Sequence, residues 1–217
     1  MIDPLENFEW NRLYELYDKL CVKFNPKSIY LFSNYQLPKD RDLYYELVKN
    51  FDHSKITKAI KLNDYKAMLY WKLYSQPAAV ANILNNIESR EPDLNTKLNK
   101  AVRSLPEKLN DKNIIIKVIK DNELFSIHGM KTPTSLPVRS TFLHFFYPDV
   151  VPVFDRMVLQ AVGENREDAN HDINVMEEYI LFNWMLADKY KNRFNSKWCE
   201  TPVRIIDMAL WIARGNK

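Results

Sequence analysis

The best candidate for chemistry in this chain is a single carboxylate, Asp155. It closes the run "FLHFFYPDVVPVFD", residues 142–155, and opens the helical stretch that follows. An aspartate heading a helix accepts hydrogen bonds from the first free amides, which contributes about 1 kcal/mol. The neighbours give it a second reading. Phe142, Phe145, Phe146, Tyr147 and Phe154 are a poor solvent for a charge, and Pro148 and Pro152 stiffen the approach. A carboxylate held there has a raised pKa unless its amides or a cation compensate, and perturbed carboxylates mark sites of acid–base work.

Other chemistries find less support. His128 and His144 are sixteen residues apart and match no metal-ligand spacing, and His53 and His171 are isolated. Lone histidines of this kind are packing or surface residues, so no metal is expected. Cys21 and Cys199 are too few and too far apart for a zinc motif or a disulfide framework, and read as reduced thiols. Glycine occurs only at 129, 163 and 215, which removes the Gly-rich phosphate loops and with them the nucleotide cofactors they bind. No cofactor is expected. No Ser–His–Asp or Cys–His set assembles from the spacing.

Two patterns bear on nucleic acid. Between Leu94 and Arg139 stand nine basic residues (97, 100, 103, 108, 112, 117, 120, 131 and 139) against four acids (107, 111, 121 and 123). Such an excess serves phosphate contact, or is a solvated lysine-rich face. Tyr65, Tyr70, Trp71 and Tyr74 share the short stretch "DYKAMLYWKLY". Aromatics can stack an extruded base, but at helical spacing they belong first to a core.

The elements that must position these residues are helical. "DPLENFEWNRLYELYDKLCVKF" has Asp3 as N-cap, Pro4 at the first position and Glu6 completing a capping box, then Leu13, Tyr17, Leu20 and Phe24 at three- and four-residue steps. Helices are predicted over "RDLYYELVKNF", over "DYKAMLYWKLYS" from Asp64, and from Pro77 onward. One short helix is expected in the polar stretch after Arg90, and another over "NIIIKVIKDNELFSI", whose β-branched run also fits a buried strand. Further helices are "LPVRSTFLHFFY", one from Asp155, one over about 173–193, and "PVRIIDMALWIAR" capped by Thr201. A short extended piece is expected around "IYLF". The fold class is all-α, with eight to ten helices in one domain, 1–217. No apolar stretch reaches the roughly 18 residues of a membrane span, and the start "MIDPLENFEW" differs from a signal peptide, so a cytoplasmic protein is expected.

"LPVRSTFLHFFYPDVVPVFDRMV", residues 136–158, resembles the second helix of a helix–hairpin–helix motif followed by the aspartate-bearing helix of the base-excision DNA glycosylase superfamily. The terminal "VRIIDMALW" is similar to a block that accompanies it in small helical proteins. The resemblance implies two all-α lobes, the chain ends sharing one of them, with a pocket in the cleft between. It implies Asp155 as the catalytic residue, Gly129, Lys131 and Arg139 on the phosphate backbone of double-stranded DNA, and Tyr147 and Phe154 shaping the pocket. The chain departs from the pattern in two places. The usual L-P-G-V-G hairpin is replaced by "IHGMKTPTSLPVRS", and the position of the family's lysine nucleophile falls on Pro137. The implied chemistry is therefore monofunctional base release, with Asp155 stabilising an oxocarbenium ion or activating water. The alternative is a non-catalytic helical binding or scaffold protein that keeps the fold without the chemistry. Arg204 and Asp207, three residues apart, are expected to form a charge pair that locks the lobes.

Overall fold

The computed structural model describes residues 1–21, 23–25, 37–52, 60–89, 93–121 and 136–214. Among them are ten α-helices and no strand, so the chain is all-α. The helices are α1 (Leu13–Leu20), α2 (Asp40–Phe51), α3 (Leu62–Leu73), α4 (Pro77–Glu88), α5 (Asp93–Arg103), α6 (Lys112–Asp121), α7 (Leu136–Phe146), α8 (Arg156–Ala161), α9 (Ile173–Tyr190) and α10 (Pro202–Ala213). None of the described helices is long and apolar enough to cross a membrane.

Three helices form the centre. In α10 every residue from Val203 to Leu210 is buried, including Arg204 and Asp207. In α7 burial extends over Ser140–Phe146, and in α3 over Tyr65–Trp71. A helix buried all round is a core element rather than an amphipathic surface one. Around them α1, α8 and α9 pack on α10, while α2 and α3 pack on α7. The buried apolar side chains form one continuous cluster. The aromatics of α3 belong to it: Tyr65, Tyr70 and Trp71 are buried, and Tyr74 is partly so.

Local signals explain most of the boundaries. Thr201 Oγ1 accepts from the Arg204 N–H, with Pro202 opening α10, as the sequence predicts. Asp64 lies inside the first turn of α3 and accepts from the Lys61 N–H at 2.8 Å. The β-branched run at 114–119 is helical in α6, burying Ile115, Ile116, Val118 and Ile119 toward α7 and α9. Helix α8 stops where Gly163 takes a left-handed conformation (φ 85°), and a Cβ there would meet Ile2 Cδ1 at 3.3 Å.

The start of the chain differs from the predicted capped helix. Helical structure begins only at the 3-10 turn Trp10–Arg12. Asp3 does bond the Leu5 N–H, but its other oxygen takes Lys189 and Tyr190 of α9. The Ile2 N–H bonds Val162 O, and Leu5 is fully buried. Tertiary anchors thus hold residues 2–5 away from helical geometry. The predicted extended piece at "IYLF" and residues 128–135 of the expected hairpin, with Gly129 and Lys131, lie outside the described residues.

Candidate functional site

Between α7 and α8 the chain turns at 148–150 and then runs buried from Val151 to Phe154, where Val151, Val153 and Phe154 expose almost nothing. Its backbone polar groups need partners, because a buried unsatisfied amide or carbonyl costs about 1–3 kcal/mol. Side chains supply them. Val151 O faces Nδ1 of His144, the Val153 N–H donates to Asp207 Oδ2 at 2.7 Å, and the Phe154 N–H donates to Ser140 Oγ at 3.1 Å. Three consecutive supports therefore deliver Asp155 to one place.

Asp155 itself is the N-cap of α8. Its Oδ1 accepts from the amides of Met157 (2.8 Å) and Val158 (3.2 Å). Its Oδ2 accepts from Lys72 Nζ at 3.1 Å. The Lys72 side chain is 9% exposed and that of Asp155 24%, so the pair is shielded on the lysine side and open on the carboxylate side. Burial pushes the carboxyl pKa up, but the Lys72 charge and hydrogen bonds from Lys72 and the two amides outweigh it, and the pKa falls below the ordinary value. The raised pKa that the apolar neighbours alone would produce is thus overturned by a cation from α3. That lysine is invisible in the sequence beyond being a lone cation between Trp71 and Leu73.

A second polar cluster packs against Trp71, the neighbour of Lys72 on α3. The Arg204 guanidinium is buried with its Cζ 4.9 Å from the Tyr44 ring centroid, 5.0 Å from Trp71 and 5.4 Å from Tyr17. It donates to Tyr17 OH at 2.6 Å, and Tyr17 OH donates to Asp40 at 2.8 Å. Arg204 Nε and the Trp71 indole N–H have no hydrogen-bond partner among the described residues. Burial raises the Asp40 pKa, and the Arg204 charge and the Tyr17 hydrogen bond oppose it. Burial still pushes Asp40 up to about 6. Tyr44 OH meets His144 Nε2 at 2.7 Å. Because a carbonyl can only accept, Val151 O places the proton on His144 Nδ1, and Nε2 accepts from Tyr44. Burial first, then Arg204, hold His144 down to about 3, so it is a neutral packing residue.

Arg204 and Asp207 do not form the expected direct pair. Asp207 turns to Val153, to Tyr179 OH (2.6 Å) and to Asn183 Nδ2 (2.9 Å), while Arg204 turns to the ring cage. They interact only through their charges: burial pushes Asp207 up to about 7, and Arg204 opposes it.

The other candidate residues are placed as follows. Arg139 is half-buried on α7 and its Nη1 donates to Ile119 O, at the C-terminal end of α6. Phe154 is fully buried against Tyr179, and the buried Tyr147 donates its hydroxyl to Pro106 O. Among the described residues no group of three or more His, Cys, Asp and Glu could hold a metal ion. The site therefore brings together Asp155 and Lys72, with Ser140, His144 and Asp207 behind them. Such an arrangement can hold an ionised carboxylate in fixed orientation next to an ammonium. Compared with known proteins, the chain matches no family model, and no curated protein or solved structure matches it significantly.

Proposed function

We propose that the chain is a DNA-binding protein resembling base-excision DNA glycosylases, and that it releases a base by a monofunctional route at Asp155. One observation carries the reading: the Asp155 carboxylate is held by two amides and Lys72, which against its burial bring its pKa below the ordinary value, and its side chain stays 24% exposed. An ionised carboxylate held rigidly is suited to stabilising positive charge that develops at a sugar carbon. In the step, the bond from C1′ to the base nitrogen breaks and its electron pair leaves with the base, which takes up a proton from solvent. Water adds its oxygen to C1′ and gives a proton to the Asp155 carboxylate, which releases it to solvent and is regenerated. Lys72 keeps that carboxylate ionised and aimed.

A second reading, a helical binding or scaffold protein without chemistry, is favoured by a different observation. Oδ1 of Asp155 is already taken by two amides and Oδ2 by Lys72, the pattern of a structural cap with a charge partner. A base-release assay on damaged and mismatched duplexes, run with the native protein and with Asp155→Asn, separates the two. The first reading expects release that falls at least about a hundredfold in the folded variant. Absence of release by the native protein across the panel leaves the scaffold reading.

A further inference from the structure

The connection between α9 and α10 carries a feature that the Asp155 site does not use. A 3-10 turn spans Lys191–Arg193. A second turn follows, closed by the Trp198 N–H on Asn195 O at 3.0 Å and the Lys197 N–H on Asn195 Oδ1 at 2.9 Å. Two aromatic side chains anchor this piece to the core. Phe194 packs on Trp10 and Trp198, with ring centroids 5.5 and 6.3 Å away, and Trp198 packs on Tyr14 at 5.7 Å. Phe194 is half-buried, so the residues exposed between 192 and 197 are Asn192, Arg193, Asn195, Ser196 and Lys197. All five side chains can donate hydrogen bonds, and two are cations. Lys191 is held by Asp188 at 2.8 Å. Among the described residues, by contrast, the side chains of Arg193 and Lys197 have no ion-pair or hydrogen-bond partner, and neither do the amides of Asn195 and Ser196.

The chemistry of the turn selects its partner. Side-chain cations beside open backbone amides are the donors that phosphate oxygens take. A membrane surface asks for something else, an apolar face to insert or a run of about four or more basic residues. Between 192 and 197 the one large apolar side chain, Phe194, is spent on the core. Position adds to composition. Thr201, which caps α10, donates its hydroxyl to Pro148 O at 2.6 Å, and Trp184 of α9 donates to Val150 O at 2.7 Å. Both helices that the turn joins therefore grip the chain that leads to Asp155. We propose that the turn 192–197, with Arg193 and Lys197 as its charges and the Asn195 and Ser196 amides between them, docks the phosphate backbone of duplex DNA. The choice of DNA rests on the DNA-binding reading above, but the surface does not depend on base release.

The test titrates a fluorescein-labelled duplex, followed by anisotropy, at low and physiological salt. The native protein is compared with the double variant Arg193→Gln/Lys197→Gln. A control variant, Lys117→Gln/Lys120→Gln, removes two exposed lysines of α6. Circular dichroism confirms that each is folded, and sedimentation with phosphatidylserine vesicles tests the membrane. The expected result is duplex binding about tenfold weaker in the turn variant, with the salt slope reduced by about two, and no change in the control. Equal affinity and slope in the native protein and the turn variant overturn the surface while leaving DNA binding in place. An equal loss in the control overturns it too, because the charge is then diffuse. Absence of salt-sensitive duplex binding by the native protein, with or without binding to vesicles, overturns both this surface and the DNA reading.

Discussion

His144 shows how one residue can look like chemistry and be packing. It is fully buried, its two ring nitrogens are committed to Val151 O and Tyr44 OH, and its pKa is held down to about 3. The unfolded chain protonates it near 6.5. Between those values the folded state binds fewer protons than the unfolded one. The stabilisation is therefore complete above pH 6.5 and is lost as pH falls below it, by roughly 1 kcal/mol per pH unit. Asp40 (about 6) and Asp207 (about 7) work in the opposite sense. Their raised pKa values lower stability as pH rises from about 4 to those values. Comparison of the native protein with His144→Gln isolates the histidine. Unfolding followed by tryptophan fluorescence from pH 7 to pH 4 should show the native protein losing more stability than the variant. Parallel curves would rule out a neutral, buried His144. Asp155 is read at this same scale. Its type and place are plain in the sequence, whereas its ionisation is decided by Lys72, whose distance in sequence hides the contact.

At the scale of elements, the informative piece is the stretch 151–155, which is neither helix nor strand. The Val151 N–H closes a local turn on Tyr147 O, but the Val151 carbonyl and the Val153 and Phe154 amides are satisfied by His144, Asp207 and Ser140. Side chains from α7 and α10 therefore shape the rest of the segment. Ser140→Ala removes the acceptor of the buried Phe154 N–H. The expected cost is about 1–3 kcal/mol, with hydrogen exchange at Phe154 accelerated more than in α7 and α8. A stability change below about 0.5 kcal/mol with unchanged exchange would mean that the segment is held by packing alone. The same logic accounts for the chain start. Asp3, Pro4 and Glu6 make a good helix-start signal, but Asp3 is bonded to Lys189 and Tyr190, which a capped helix at 4–9 would forgo.

Across the whole molecule, Arg204 ties four helices together: Tyr17 of α1, Tyr44 of α2 and Trp71 of α3 surround a guanidinium carried by α10. It also compensates the buried Asp40 through Tyr17. Arg204→Met keeps apolar volume inside the ring cage but leaves that carboxylate uncompensated, at an expected cost of about 3 kcal/mol. Adding Asp40→Asn should recover part of the loss, a coupling of at least about 0.5 kcal/mol by chemical denaturation. Strict additivity of the two changes would show that Arg204 acts through packing only.

The sequence by itself determined the class and most of the helices. Three- and four-residue apolar spacing, Pro202 after Thr201 and the scarcity of glycine are local signals, and helices are largely local objects. It also singled out Asp155 as a cap among aromatics. The tertiary structure decided what surrounds that cap. Lys72 lies 83 residues away, and Asp207 reaches Val153 across 54. No periodicity encodes such contacts, because they arise only when separate helices pack against each other. Adjacent residues of α3 illustrate the point: Trp71 faces the Arg204 cage while Lys72 faces Asp155. In the sequence they are one tryptophan and one lysine in an aromatic helix, and only the packing of α7, α8 and α10 around that helix gives them different roles.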